Sequence, residues 1–386
     1  MTAALRIVPA PAALPGHEIL DQVRDFIARF SAFPHEHCAP MLALWYAHTW
    51  VADHLYTTPR LVLSSAEPGS GKTRVLEVAK HFTRAAEMTM SGSAAALVRM
   101  VAAGPITILL DEVDTIFASG GGGNEEVRGM LNGGYKRSAT IPKCRGDAAT
   151  GITVDRLPIF APAALAGLAG SLPDTINTRA ITIHLRKRRS DEHVQSYMER
   201  RVEREAAPIR DALETWATSI GEALEEAEPT MPHGVTDRAA EIWEPLIAIA
   251  DAAGGHWPVT ARAACSYFVH DKTGVTPSLG VQLLTDLRTL FTIAGTDRLH
   301  TTEILRYLLS LDDAPWADLN GRTLDARRLS KELGRYHVAP VTVKVNGTNA
   351  KGYVTFANDH QVGLADAWAR YPTTPAIEGG ASNGQA

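Results

Sequence analysis

Between an apolar run at 61–64 and a helix-forming stretch opening at Thr73, the chain reads Ala66-Glu67-Pro68-Gly69-Ser70-Gly71-Lys72-Thr73, and this octapeptide limits the surrounding fold more than any other segment. A glycine-rich loop between a buried strand and a helix leaves backbone N–H groups free at the helix N-terminus, where phosphate oxygens bind. In this reading Pro68, Gly69, Ser70, Gly71, Lys72, Thr73 and Arg74 surround a nucleoside triphosphate. Gly69 and Gly71 admit close backbone approach, Lys72 meets the β- and γ-phosphates, and Thr73 ligates Mg²⁺. Ala66 stands where the pattern usually has its first glycine, which is acceptable if its φ is negative.

A second motif follows about forty residues later. The run Ile106-Thr107-Ile108-Leu109-Leu110 is apolar, β-branched, too short for a helix and preceded by Gly104-Pro105, so it predicts a buried parallel strand. Asp111 closes it, at the strand end where an α/β sheet presents groups to a ligand, as a second Mg²⁺ ligand. Glu112 is placed to polarise the attacking water, with an ordinary surface carboxylate as the plain alternative. Together the motifs predict binding and hydrolysis of ATP with Mg²⁺.

At 386 residues the chain exceeds one ordinary domain. Three scattered cysteines, Cys38, Cys144 and Cys265, offer neither a disulfide framework nor a metal spacing, which suits a reducing, cytoplasmic setting. His35-Glu36-His37-Cys38 has no partner cluster and reads as a polar turn. No apolar run is long enough to span a bilayer, and a net charge of −5 leaves local basic patches as the electrostatic route to a nucleic acid.

Strand and helix candidates alternate after an N-terminal arm and helical segment (1–56): strands at 61–64, 89–91, 106–110, 157–161 and 180–185, helices at 73–86, 93–103 and 124–135. This pattern predicts an α/β core over 57–188, a parallel sheet with helices on both faces. A glycine run at 119–123 follows the Asp111 strand, where lids often sit. Charged helical segments fill 189–270. The region 271–371 reads as three helices and a hairpin about Asn346-Gly347, a winged-helix-like domain, before a tail (372–386) of disordered composition.

Residues 61–77, 106–117, 131–144, 172–189 and 237–257 together resemble a domain-of-unknown-function family of AAA+ type ATPases, over about 18–371 of the chain. That family occurs in actinobacteria and their phages, often encoded with or fused to a primase-polymerase. The resemblance implies an AAA+ type P-loop NTPase with a helical lid (189–270), working as a homo-oligomer, in related motors a hexameric ring. It implies an arginine finger at Arg179, reaching a neighbouring subunit's γ-phosphate, and a second arginine, Arg238, sensing the nucleotide of its own subunit. The polar water-positioning residue expected after the 157–161 strand is missing from Phe160-Ala161-Pro162-Ala163 and stays unassigned.

Residues 138–154 read as a hairpin turning near 146–151, where superfamily 3 helicases place a pore hairpin. Lys143 and Arg145, with Lys136 and Arg137 at its base, are the candidates for single-stranded DNA phosphates. Plainer readings stand beside these: a salt-bridging Arg179, a helix-start charge at Arg238, and a solvated charged face for the hairpin and for 186–189. The expected function is an ATP-driven DNA helicase or helicase loader of phage or plasmid type; the alternative is an AAA+ remodeller acting on a protein partner.

Overall fold

Apolar runs too short for helices become parallel strands in the computed structural model, which describes residues 14–89, 94–117, 125–145, 153–270, 279–312, 314–319, 321–356 and 363–371. The chain divides into two units, Met1–Thr273 and Gly274–Ala386. The 119–123 loop, the hairpin turn at 146–151, most of the N-terminal arm and the 372–386 tail lie outside the described residues.

The first unit contains helices α1 (Gly16–Ala28) and α2 (Cys38–Trp50), then strand β1 (Arg60–Ser65), α3 (Lys72–Phe82), β2 (Ala86–Thr89), α4 (Ala94–Ala103) and β3 (Thr107–Leu110). It continues through α5 (Val113–Phe117), α6 (Glu125–Gly133), β4 (Thr140–Arg145), β5 (Thr153–Pro158), β6 (Ala163–Leu168), α7 (Asp174–Asn177) and β7 (Ala180–His184). Helices α8 (Glu199–Leu224), α9 (Asp237–Ala253) and α10 (Trp257–His270) complete it. Five strands form one parallel sheet in the order β2-β3-β6-β1-β7, with Leu61 beside Ala164 on one side and Ile181 on the other.

All six residues of β1 are buried, because helices cover both faces of the sheet. One face packs Leu61, Leu63 and Leu109 against α1, α2, α3 and α8–α10; the other packs Val62, Ile108 and Leu110 against α4, α5 and α6. Helix α2 is buried around its whole circumference from Cys38 to Thr49, as a helix apolar on every side must be, with His48 and Thr49 as its buried polar residues. The segments 14–56 and 189–270 therefore share one hydrophobic core.

Two strand expectations need correction. The fourth sheet strand is not 157–161 but β6, Ala163–Leu168; residues Thr153–Pro158 pair antiparallel with β4, placing Lys143 opposite Asp155. Small residues hid β6, and close packing demands them: a Cβ on Gly167 would lie 2.7 Å from Val113 Cγ2. Strand β2 starts at Ala86 because α3 stops at Phe82: Thr83 is extended (φ −100°, ψ 147°) and Ala85 left-handed (φ 44°).

The second unit comprises α11 (Leu279–Ala294), β8 (Arg298–His300), α12 (Thr301–Leu309), α13 (Ala326–Gly334), β9 (Val341–Val345), β10 (Thr348–Val354) and α14 (Leu364–Arg370). Its antiparallel sheet has the order β8-β10-β9. Asn346 and Gly347 both take positive φ, 50° and 81°, the geometry a two-residue hairpin turn requires. Trp316 anchors the core and donates from Nε1 to Asp286 Oδ2 at 2.7 Å.

His48 lies fully buried on α2, with Nδ1 against the Trp45 carbonyl and Nε2 2.8 Å from Thr58 Oγ1. Burial above all pushes its pKa down to about 3, so it is neutral in the fold while the unfolded chain takes up a proton near 6.5. Its contribution is complete above that pH and is lost as pH falls toward the folded value, by about 1.4 kcal/mol per pH unit. Urea midpoints should decline between about pH 6.5 and about pH 4.5; a flat profile would mean that His48 carries its proton in the fold.

Candidate active site

The loop after β1 has the shape its sequence requires. Gly69 and Gly71 take φ of 77° and 87°, Ala66 keeps a negative φ, and a Cβ on either glycine would meet nothing within 4 Å. The glycines are thus needed for backbone conformation, and the space beside them is open. Ser65 and Ser70 hydroxyls each donate to the Glu67 carbonyl at 2.7 Å and hold the loop's curve. Lys72 Nζ donates to Ser65 Oγ at 2.5 Å. The first α3 ladder bond runs from Val75 N–H to the Gly71 carbonyl, which leaves the Lys72, Thr73 and Arg74 amides ahead of the ladder.

Asp111 is buried at the end of β3, and both its oxygens are held: Oδ2 accepts from Thr73 Oγ1 at 2.7 Å, Oδ1 from the Glu112 N–H at 2.9 Å. Glu112 is exposed and left-handed (φ 53°), a conformation that a non-glycine residue adopts at a cost of order 1 kcal/mol and that is found at functional sites. Asp114 Oδ1 accepts from the Leu168 N–H at 3.3 Å, and Ser171 Oγ donates to the Leu168 carbonyl at 2.7 Å, so the C-terminal ends of β1, β3 and β6 converge. Two hard oxygen ligands, an ammonium and a run of amides suit a magnesium triphosphate.

Other expected residues stand elsewhere. The Arg74 side chain is stacked on Tyr197, 4.0 Å from the ring centroid, with Nε 3.2 Å from Glu77 Oε2, so only its backbone faces the loop. Lys143 is ion-paired with Glu126, and Lys136 with Glu241 at 2.5 Å. Arg137 is exposed, and its backbone N–H donates to the Tyr56 carbonyl at 2.9 Å. The Arg145 side chain lies outside the described residues.

Arg179 and Arg238 come together over one ring, Tyr135, at 5.2 and 5.8 Å from its centroid. They stand at the N-terminal end of β1: Arg60 N–H donates to the Arg179 carbonyl at 3.0 Å, and Thr58 N–H to the Tyr135 carbonyl at 2.8 Å. The glycine loop lies at the other end, about 16 Å along the strand at ordinary rise. Arg238 is therefore not placed to sense a nucleotide on its own loop, and the lid-sensor expectation is corrected. The cause is α9, whose first turn is tied to the approach to β1 by Thr57 Oγ1 donating to the Glu241 carbonyl at 2.9 Å.

Sequence reasoning passed over Ser65, Tyr135 and Arg60. Arg60 is fully buried and donates to the Leu131 carbonyl at 3.0 Å and the Ala161 carbonyl at 2.5 Å. Burial, then the charge of Arg179, push its pKa down to about 9. A charged residue opening a strand gives no sequence signal of such a role.

Parallel sheet, glycine loop and paired acid define an α/β protein with an open glycine-rich turn between β1 and α3. A family described as protein of unknown function (DUF3631) matches residues 184–371. An uncharacterized 28.9 kDa protein in the xis 5′ region of Saccharopolyspora erythraea is 39% identical over 194 residues, 50% of this chain and 70% of that one. The chain belongs to the DUF3631 family. Among solved structures, the apo A form of the NrS-1 C-terminal region is similar with a TM-score of 0.44 at 10% identity, covering 92% of this chain and 78% of that one. The Aeropyrum pernix ORC2 protein, in ADPNP–ADP complexes, has a TM-score of 0.25 at 11% identity, covering 81% and 89%. Likenesses this distant leave function to the residues themselves.

Lys72→Ala should weaken binding of a fluorescent ATP analogue with Mg²⁺ at least about tenfold, since it deletes the cation beside the open loop. Fluorescence titration checks this, and unchanged affinity would remove the loop from consideration.

Proposed function

We propose that this chain is an ATP-hydrolysing motor of the AAA+ P-loop type. The observation that carries the reading is the 2.7 Å bond joining Thr73 Oγ1 to Asp111 Oδ2, beside Lys72. Side chains 38 residues apart meet there where a metal-bound triphosphate would lie. Mg²⁺, held by Thr73 and Asp111, would neutralise charge on the β- and γ-phosphates. Lys72 leaves Ser65 for the phosphates. Glu112, exposed next to the pinned acid, orients and deprotonates the attacking water. Arg179, too far along β1 to reach its own loop, serves the site of a neighbouring subunit in a ring.

The work done by this motor is translocation on single-stranded DNA, as a helicase or helicase loader in phage- or plasmid-type replication, beside a primase-polymerase. The resemblance of the sequence to such ATPases supports it, as do the β4–β5 hairpin with Lys143 and Arg145 and the second unit, where the run α11-β8-α12-α13-β9-β10, followed by α14, has a winged helix's order of elements. A second reading, remodelling of a protein partner, is favoured by one observation: Lys136 and Lys143 are already neutralised by Glu241 and Glu126.

Glu112→Gln should bind ATP as the wild type does and turn it over at least about a hundredfold more slowly, since water activation alone is lost. Phosphate release in single turnover measures it; normal turnover would shift the base to Asp114.

Single-stranded DNA should raise the ATPase rate, and Lys143→Ala with Arg145→Ala should abolish the stimulation while basal turnover persists. The log–log salt slope of binding should flatten by about 1.4, at roughly 0.7 per lost contact. No DNA binding by the wild type would favour the remodeller.

A further inference from the structure

Tyr135 gathers three cations around one ring: the Arg179 guanidinium carbon at 5.2 Å, Lys136 Nζ at 5.5 Å and the Arg238 guanidinium carbon at 5.8 Å from its centroid. Among the described residues, of these three only Lys136 is paired with a carboxylate, Glu241. Among the described residues, neither Arg179 nor Arg238 forms an ion pair. Arg179 donates to the Thr175 carbonyl from one terminal nitrogen, but its Nε is buried without a partner. A fourth cation, Arg60, lies buried behind them with carbonyl partners alone.

Gathering like charges without counter-ions is unfavourable, and the cation–π contacts, about 0.5–1 kcal/mol each at exposed sites, offset it only in part. An incoming anion would convert the repulsion into attraction, and guanidiniums are the side chains whose planar donor forks suit phosphate oxygens. That phosphate cannot belong to the chain's own glycine loop, which lies at the far end of β1.

Resting on the ATPase reading above, we propose that Arg238 is a second arginine acting in trans: with Arg179 it stabilises the charge that develops in the transition state on the phosphates held by a second copy of this chain. Arg238 is exposed and opens α9, so its guanidinium is available to a neighbour. The Thr57 and Lys136 ties to Glu241 hold that turn beside Tyr135, so both arginines are presented together.

The test pairs variants in mixed assemblies. Arg238→Ala should bind a fluorescent ATP analogue with wild-type affinity yet lose about a hundredfold in turnover, as expected when one transition-state donor is removed. Mixed with Lys72→Ala, it should regain turnover, because an intact loop then meets an intact Arg238 on its neighbour. A mixture of Lys72→Ala with Glu112→Gln should regain none, since both defects lie in one nucleotide's own subunit. Weakened ATP binding by Arg238→Ala alone, or no recovery in a mixture shown by mass photometry to co-assemble, would overturn the proposal. Wild-type turnover by Arg238→Ala would remove this inference and leave the ATPase reading standing. A wild-type chain that bound no ATP analogue would remove both.

Discussion

Everything that the first unit presents to a ligand depends on β1 being a fully buried strand in a parallel sheet. Its hydrogen bonds to β6 and β7 occupy both its edges, and helices keep water from both its faces. Because every strand runs the same way, their C-terminal ends form one rim and their N-terminal ends another. The glycine loop, Asp111 and Asp114 share the first rim; Arg60, Tyr135, Arg179 and Arg238 share the second. A rigid strand thus separates two polar sites that no side-chain movement within the chain can join.

The two rims are built by different chemistry. At the glycine loop, polar groups hold one another in readiness: Lys72 rests on Ser65, and Thr73 on Asp111, hydrogen bonds that a phosphate and a metal can replace without leaving a buried group unpaired. At the opposite rim, positive charge is concentrated on an aromatic ring with one carboxylate nearby. The hairpin cations differ again, since Lys143 is neutralised by an acid from α6, Glu126. Exposed ion pairs of this kind are worth at most about 1 kcal/mol, so a polyanion can displace them.

The placement of α9 shows how packing reassigns a residue. Its apolar side, with Trp243, Leu246 and Ile247, joins the core formed by α1 and α2. That burial seats the first turn against the lead into β1 and carries Arg238 to Tyr135. A lid standing over the glycine loop would have directed the same arginine toward that loop.

The strand-loop-helix at 61–82, the acid-ended strand at 107–110 and the Asn346-Gly347 turn were legible in the sequence because each is a local matter: glycine's freedom at positive φ, β-branched runs, two-residue turns. Strand β6 was not, because alanine and glycine carry little strand preference; their small size answers to Val113 across a gap that only the folded sheet creates. The burial of Arg60, the pairing of Lys143 with Glu126 and the meeting of Arg179 with Arg238 were equally invisible, since each joins residues far apart along the chain. Local sequence determined that a parallel sheet would carry a glycine-rich loop between strand and helix; tertiary packing alone decided which charges were neutralised and at which end of β1 Arg179 and Arg238 would stand.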